Sequence, residues 1–153
     1  MTTVLQHREI SERTRSLSTL GRIDYSDVAT IETSVQAAPE TWARAIIEQT
    51  AGTGAQVFWH AIGLRLDRRS PRNIGGWTLV ATGGDHIVLE TSSFYATINA
   101  IGEVDQGRVS LALLARFDHP FARIACPPIT LVHRRGIGLL LRGAAHRLGR
   151  HQP

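Results

Sequence analysis

One histidine stands out chemically, because it interrupts an apolar stripe. In PPITLVHRRGIGLLLRGAAHRLG, residues 127–149, a rotation of 100° per residue puts Ile129, Val132, His133, Gly136, Ile137, Leu140 and Ala144 on one face. Arg135, Arg142 and His146 fall opposite. A neutral imidazole facing a pocket orients a carbonyl or hydroxyl, or acts as an acid or base. His133 is therefore the candidate catalytic residue. The position also suits a core histidine bonded to a neighbour, or one hydrogen-bonded to the IDYSD segment at 23–27. There Asp24 and Asp27 flank Tyr25. Two carboxylates so close serve acid–base work, or else cap and pair with an arginine.

Residue types and spacing argue against other chemistries. All 17 basic residues are arginine, so no lysine amine exists for Schiff-base chemistry. Cys126 is the only cysteine, which removes an internal disulfide and a cysteine cluster for zinc. The seven histidines never take the HExxH spacing of a zinc protease. Asp118-His119-Pro120 has no accompanying GxSxG nucleophile motif and reads as a turn. GTG (52–54) and TGG (82–84) lack the Lys-Ser/Thr of a phosphate loop. No metal and no cofactor are expected.

Charge is unevenly spread. The last carboxylate is Asp118; from His119 onward there are six arginines, at 123, 134, 135, 142, 147 and 150. Residues 1–118 hold 11 arginines against 13 acids, a net of −2, so the formal +4 is carried by the C-terminal segment. A one-sided basic surface attracts anions, which makes Arg135, Arg142 and Arg150 an alternative site for nucleic acid or acidic lipid. A solvated helix face is the simpler explanation of them.

The elements that must hold these residues follow from periodicity. At 153 residues the chain is one domain with a real core. Residues 1–22 read as an arm or short helix and 150–153 as a tail, leaving 23–149 as the domain. Alternation predicts a first strand at about 26–35, with Ala29, Ile31, Thr33 and Val35 on one side. Pro39 and Glu40 open a helix that AGTG at 51–54 ends. A second helix follows at about 55–66. Strands are predicted at 75–82, 85–92, 94–104 and 108–117, joined by turns too short for anything but antiparallel neighbours. Phe94, Ala96, Ile98 and Ala100 should face inward with Val109, Leu111, Leu113, Ala115 and Phe117. Pro127 and Pro128 suit the first turn of the final helix. No apolar run approaches the roughly 18–20 residues that span a bilayer, and MTTVLQHREISER lacks an apolar signal core; a cytoplasmic location is expected.

This order of elements resembles the helix-grip fold of START lipid-binding and polyketide cyclase-like proteins. The words IDYSD (23–27), PETWARAI (39–46), IGLRL (62–66), GW (76–77) and LVHRRGIGLLL (131–141) are similar to those of a bacterial SRPBCC-like family. The resemblance covers about residues 20–148. Glycines at 136, 138 and 143 depart from it. It implies an α+β domain with a curved antiparallel sheet wrapped around a long C-terminal helix, two short helices after the first strand, and a cavity between sheet and final helix.

The expected function is binding of a small or medium hydrophobic molecule in that cavity, as a carrier, sensor or cyclase-like protein. Trp42, Phe58, Trp59, Trp77, Phe94, Ile98, Leu111, Leu113, Phe117, His133, Ile137 and Leu140 are the candidate lining. Acid–base cyclisation or dehydration is the chemistry if it is an enzyme. The alternatives are the arginine surface and a structural homo-oligomer without a cavity ligand. Nucleic acid is disfavoured as a partner; a membrane surface and a homodimer stay open. Gly136 and Gly143 signal either room for a ligand or a close approach to the sheet.

Overall fold

Arg108–Phe117 and Ala96–Asp105 alternate apolar and polar residues, and both become strands of ten residues. They are joined by a two-residue turn, Gln106-Gly107, between the paired Asp105 and Arg108. Gly107 takes φ +71°, which only glycine adopts cheaply. In the computed structural model, which describes residues 3–153, these strands are the centre of a six-stranded antiparallel sheet. In chain order the elements are β1 (Val4–His7), α1 (Glu12–Leu17), β2 (Tyr25–Glu32), α2 (Pro39–Arg44), a π-helical segment (Ala45–Ala51), α3 (Gly52–Ala61), β3 (Thr78–Thr82), β4 (His86–Ser92), β5 (Ala96–Asp105), β6 (Arg108–Phe117) and α4 (Ala122–Gly149). The sheet order is β1-β2-β6-β5-β4-β3.

Both faces of the sheet are covered. On the inner face Ala29, Ile31, Ile87, Leu89, Ala100 and Val109 pack against Trp42, Ile46 and Ile47 and against Ile137, Leu141 and Ala144 of α4. On the outer face Val28, Val88, Ile101, Ala112 and Leu114 form a second core with Ile10, Leu17, Leu20 and Ile23. The N-terminal 22 residues thus supply an edge strand as well as the short helix. Ser11 caps α1 by accepting from the Thr14 amide. The buried Asn99 accepts from the Thr19 amide at 2.9 Å and from the Ser18 hydroxyl at 2.8 Å, pinning the stretch after α1 to β5.

Several expectations are corrected. The first strand ends at Glu32 rather than 35. AGTG does not end the helical region; the chain passes through the π-helical segment and changes course at Gly52, where φ is +55°. The second helix stops at Ala61, so IGLRL lies outside it. Ile74 and Trp77 pair across a tight turn in which Gly75 and Gly76 both have positive φ. Trp77 therefore precedes its strand. The final helix begins five residues early, at Ala122, so Pro127 and Pro128 lie inside it. Each lacks the N–H that would bond four residues back. The extra turn is held by burial of Ala122 and Cys126 against Tyr95 and Ala96.

Candidate functional site

Asp27 and Tyr25 share the inner face of β2 because they are two residues apart. Each pairs across to β6, Asp27 opposite Leu113 and Tyr25 opposite Ala115. The Tyr25 hydroxyl donates to Asp27 Oδ2 at 2.6 Å. His133 of α4 brings Nε2 to 3.3 Å from Asp27 Oδ1. That contact lacks hydrogen-bond alignment, and the buried Nε2 has no partner among the described residues. Asp27 is 4% exposed, so its charge depends on these neighbours. Burial, then the bond to Asp27, pushes the Tyr25 hydroxyl up to about 12. The Arg8 guanidinium lies over the Tyr25 ring, 4.5 Å from its centroid. This cluster joins α4 to β2 and faces the histidine toward the IDYSD segment. It has the components of an acid–base site: a phenol, a carboxylate and an imidazole in sequence.

Asp24, the other carboxylate of that segment, has a different task. Its Oδ2 accepts from the Phe117 amide at 2.7 Å, and Arg22 pairs with it at 3.0 Å. The amide bond, reinforced by Arg22, holds its carboxyl below the usual range. It closes the end of the β2–β6 ladder.

The apolar candidates divide into three groups. Trp42 and Leu111 line a narrow apolar slot with Ala43, Ile46, Ile47, Ile87, Leu89, Ala100, Gly102 and Val109, between the α2–π segment and the sheet. Its free volume is about 20 Å³, room for one water. Ile98, Leu113, Ile137 and Leu140 belong to the same core, which is closely filled. Trp59 and Trp77 meet edge to face at 5.7 Å. The indole N–H groups of Trp42 and Trp77 are buried without an acceptor among the described residues. Phe58 is half-buried on α3, a helix with no fully buried side chain. Phe94 departs from expectation: it precedes β5, is 58% exposed and stacks on Phe121 at 5.6 Å. Phe117 packs with Tyr95, Ala122 and Cys126 at the sheet's end.

The final helix also differs in detail. Val132 is 53% exposed, because the buried stripe runs through Cys126, Ile137, Leu141 and Ala144. A Cβ built on Gly143 would stand 2.7 Å from Thr50 Cγ2, so this glycine permits close approach, to the π-helical segment and not to the sheet. A Cβ on Gly136 meets nothing within 4 Å. Arg135, Arg142 and Arg150 are exposed. The loop at 65–72 borders Arg44, whose guanidinium donates to Pro71 O at 3.2 Å.

Sequence reasoning missed Arg8, Arg123 and Arg134, which meet Tyr25 in one cleft. The signal lay in the arginine run without carboxylates, but the pairing of Arg8 with that run needs the strand β1. Among the described residues, no three His, Cys, Asp or Glu side chains are grouped to hold a metal ion. None of the described helices is long and apolar enough to cross a membrane. Searched against protein-family models, curated proteins and solved structures, the chain matches none.

Proposed function

We propose that this domain binds a small, mainly apolar molecule between the inner face of its sheet and the helices laid across it. The antiparallel sheet with a long C-terminal helix on its concave side is compatible with a helix-grip domain, and that compatibility supports the reading. The observation that carries it is the buried Trp42 indole, which lines an apolar slot yet has no acceptor for its N–H among the described residues. A buried donor left unpaired costs about 1–3 kcal/mol. A ligand carbonyl or hydroxyl entering the slot would remove that cost, while its apolar body replaced solvent contact with contact to Ile46, Leu89 and Leu111.

A resident molecule needs more than about 20 Å³. The slot's walls supply the means of widening. Ala43, Ala100 and Gly102 keep side chains short on both sides. The π-helical segment forms one wall through Ile46 and Ile47, which are buried in the core, whereas α3, which continues it, buries no side chain fully. Segments with few buried contacts open at low free-energy cost. Movement of this helical flap would deepen the slot without breaking a sheet ladder. Carrier or sensor is the role this favours. A cyclase-like enzyme would add the Tyr25–Asp27–His133 cluster as acid and base, with the filled interior excluding water.

Native mass spectrometry of the purified protein tests the reading. An adduct of a few hundred daltons is expected, reduced in Trp42→Phe, which keeps an aromatic ring of smaller size but deletes the N–H. The neutral fluorescent probe N-phenyl-1-naphthylamine should bind at one saturable site and shift tryptophan emission. Absence of both an adduct and saturable probe binding would overturn the proposal.

A further inference from the structure

A second concavity lies on the flank where β1 and β2 meet the first half of α4. It is an open cleft of about 520 Å³, lined by Arg8, Arg123 and Arg134, by Tyr25 and Thr130, and by the apolar Phe117, Pro127 and Leu131, with Cys126. Among the described residues, no carboxylate lines it. It belongs to neither the slot nor its flap. The slot meets β6 at Val109–Leu111 and the cleft meets it at Phe117, roughly 20 Å further along the strand.

Of the other 14 arginines, five are ion-paired among the described residues, one of them Arg108 with Glu32 at 3.9 Å. Arg13, Arg22, Arg44 and Arg116 each sit in an ion pair. Arg123 and Arg134 make no ion pair and no side-chain hydrogen bond among the described residues. Arg8 is held in place without being neutralised. Its Nε donates to Ser26 O at 3.0 Å, its own carbonyl accepts from Ser26 Oγ at 2.7 Å, and its guanidinium rests on the Tyr25 ring. Two carboxylates lie close by: Asp24 is committed to the Phe117 amide and Arg22, and Asp27 to the Tyr25 hydroxyl. Two stretches of chain, the residue after β1 and the first half of α4, thus bring three guanidinium groups to one concave surface with no carboxylate hydrogen-bonded to them among the described residues. Like charges gathered this way repel unless an anion is shared between them.

We propose that this cleft binds an anion, a carboxylate or phosphate, carried on an apolar ring or chain. Guanidinium groups match both acids with paired N–H donors. Phe117, Pro127 and Leu131 give the apolar part a wall, and the volume falls within the range of small-molecule sites and well above the size of a bare ion. The same chemistry is offered by a free organic acid and by the headgroup of an acidic lipid. The site is independent of the interior slot, so either can fail alone.

Calorimetric titration with hexyl phosphate, beside inorganic phosphate, tests the cleft. Cosedimentation with phosphatidylcholine vesicles carrying about 20% phosphatidic acid tests the lipid source. Saturable binding of hexyl phosphate, tighter than inorganic phosphate, is expected. Binding in the first arm assigns a free acid; binding confined to vesicles assigns a headgroup; either supports the cleft. Arg123→Gln with Arg134→Gln should weaken the interaction by at least about tenfold. Leu131→Glu places a carboxylate on the wall at an exposed position and should abolish it. Arg135→Gln changes net charge as much as Leu131→Glu does, but on α4 outside the cleft, and should leave binding unchanged. No saturable binding to any probe would overturn the proposal. So would equal losses in Leu131→Glu and Arg135→Gln, or inorganic phosphate binding as tightly as hexyl phosphate, since both describe a diffuse basic surface.

Discussion

Two glycines of α4 should respond in opposite directions to the same substitution. Replacing a helix-interior glycine by alanine gains about 1 kcal/mol, because alanine loses less backbone freedom on folding. At Gly136 an added Cβ meets nothing within 4 Å, so Gly136→Ala should keep most of that gain. At Gly143 the Cβ would stand 2.7 Å from Thr50 Cγ2, with Thr50 Oγ1 at 3.7 Å and Cβ at 3.8 Å. Carbon atoms rest at about 3.5–4.0 Å, so the helix or the threonine must yield by about 1 Å. Threonine is stiff about χ1, and Thr50 belongs to the π-helical segment against which α4 packs. Overpacking of this kind costs about 1–3 kcal/mol. Setting the alanine gain against it leaves Gly143→Ala between neutral and about 2 kcal/mol less stable. The two variants should therefore differ by about 2 kcal/mol, or roughly 4–8 °C in Tm for a domain this size. Urea denaturation followed by circular dichroism reads the difference. Thr50→Ser removes the offending methyl and should restore about 1 kcal/mol to Gly143→Ala but not to the parent. Equal stabilisation by both alanines would refute the close approach of α4 to the π-helical segment.

Asp27→Ala should cost about 2–4 kcal/mol in urea titrations, since it strips the Tyr25 hydroxyl and His133 of their shared neighbour; a surface-like loss under 0.5 kcal/mol would show the cluster is not structural. Ultraviolet titration should find one tyrosine ionising at about 12. Because that folded value is raised, its contribution to stability is complete below the unfolded value of about 10 and is lost as pH rises toward 12; Tyr25→Phe should flatten that alkaline fall. Asp24 has a lowered folded value, so its contribution is present above about pH 4 and is lost as pH falls through the folded value. Asp24→Asn should reduce stability at neutral pH and shallow the acid limb, and an unchanged acid limb would contradict the Phe117 amide bond as its cause.

The pattern of the chain carried the central strands closely. Residues 108–117 form a strand from end to end because Val109, Leu111 and Leu113 alternate to the inner core while Ala112 and Leu114 of the opposite parity fill the outer one. The edge strand β1 was not visible. It has four residues, of which Val4 packs on α4, Gln6 donates to the Arg134 carbonyl and Leu5 is 60% exposed, so too little periodicity existed to register. The onset of α4 was misjudged for a related reason. Prolines usually mark a helix's first turn, but burial of Ala122 and Cys126 against Tyr95 outweighs two missing hydrogen bonds. Phe94 followed the strand's parity on paper, yet the chain turns through Ser93, whose hydroxyl accepts from the amides of Tyr95 and Ala96. That turn sends Phe94 outward.

Residue types and short-range spacing by themselves determined the α+β class, the antiparallel meander, the long C-terminal helix, and the placing of His133 on its inward side. They also confined excess positive charge to the last 35 residues. These are local properties, set by side-chain period and by composition. Only the tertiary structure decided what the residues meet. It set Asp27 against His133 across 106 positions of sequence. It gave Gly143 a threonine to approach and Gly136 empty space. It gathered Arg8 with Arg123 and Arg134 around one cleft. Each of those encounters depends on sheet order and on the path of the helical flap, and neither quantity is encoded in the spacing of neighbouring residues.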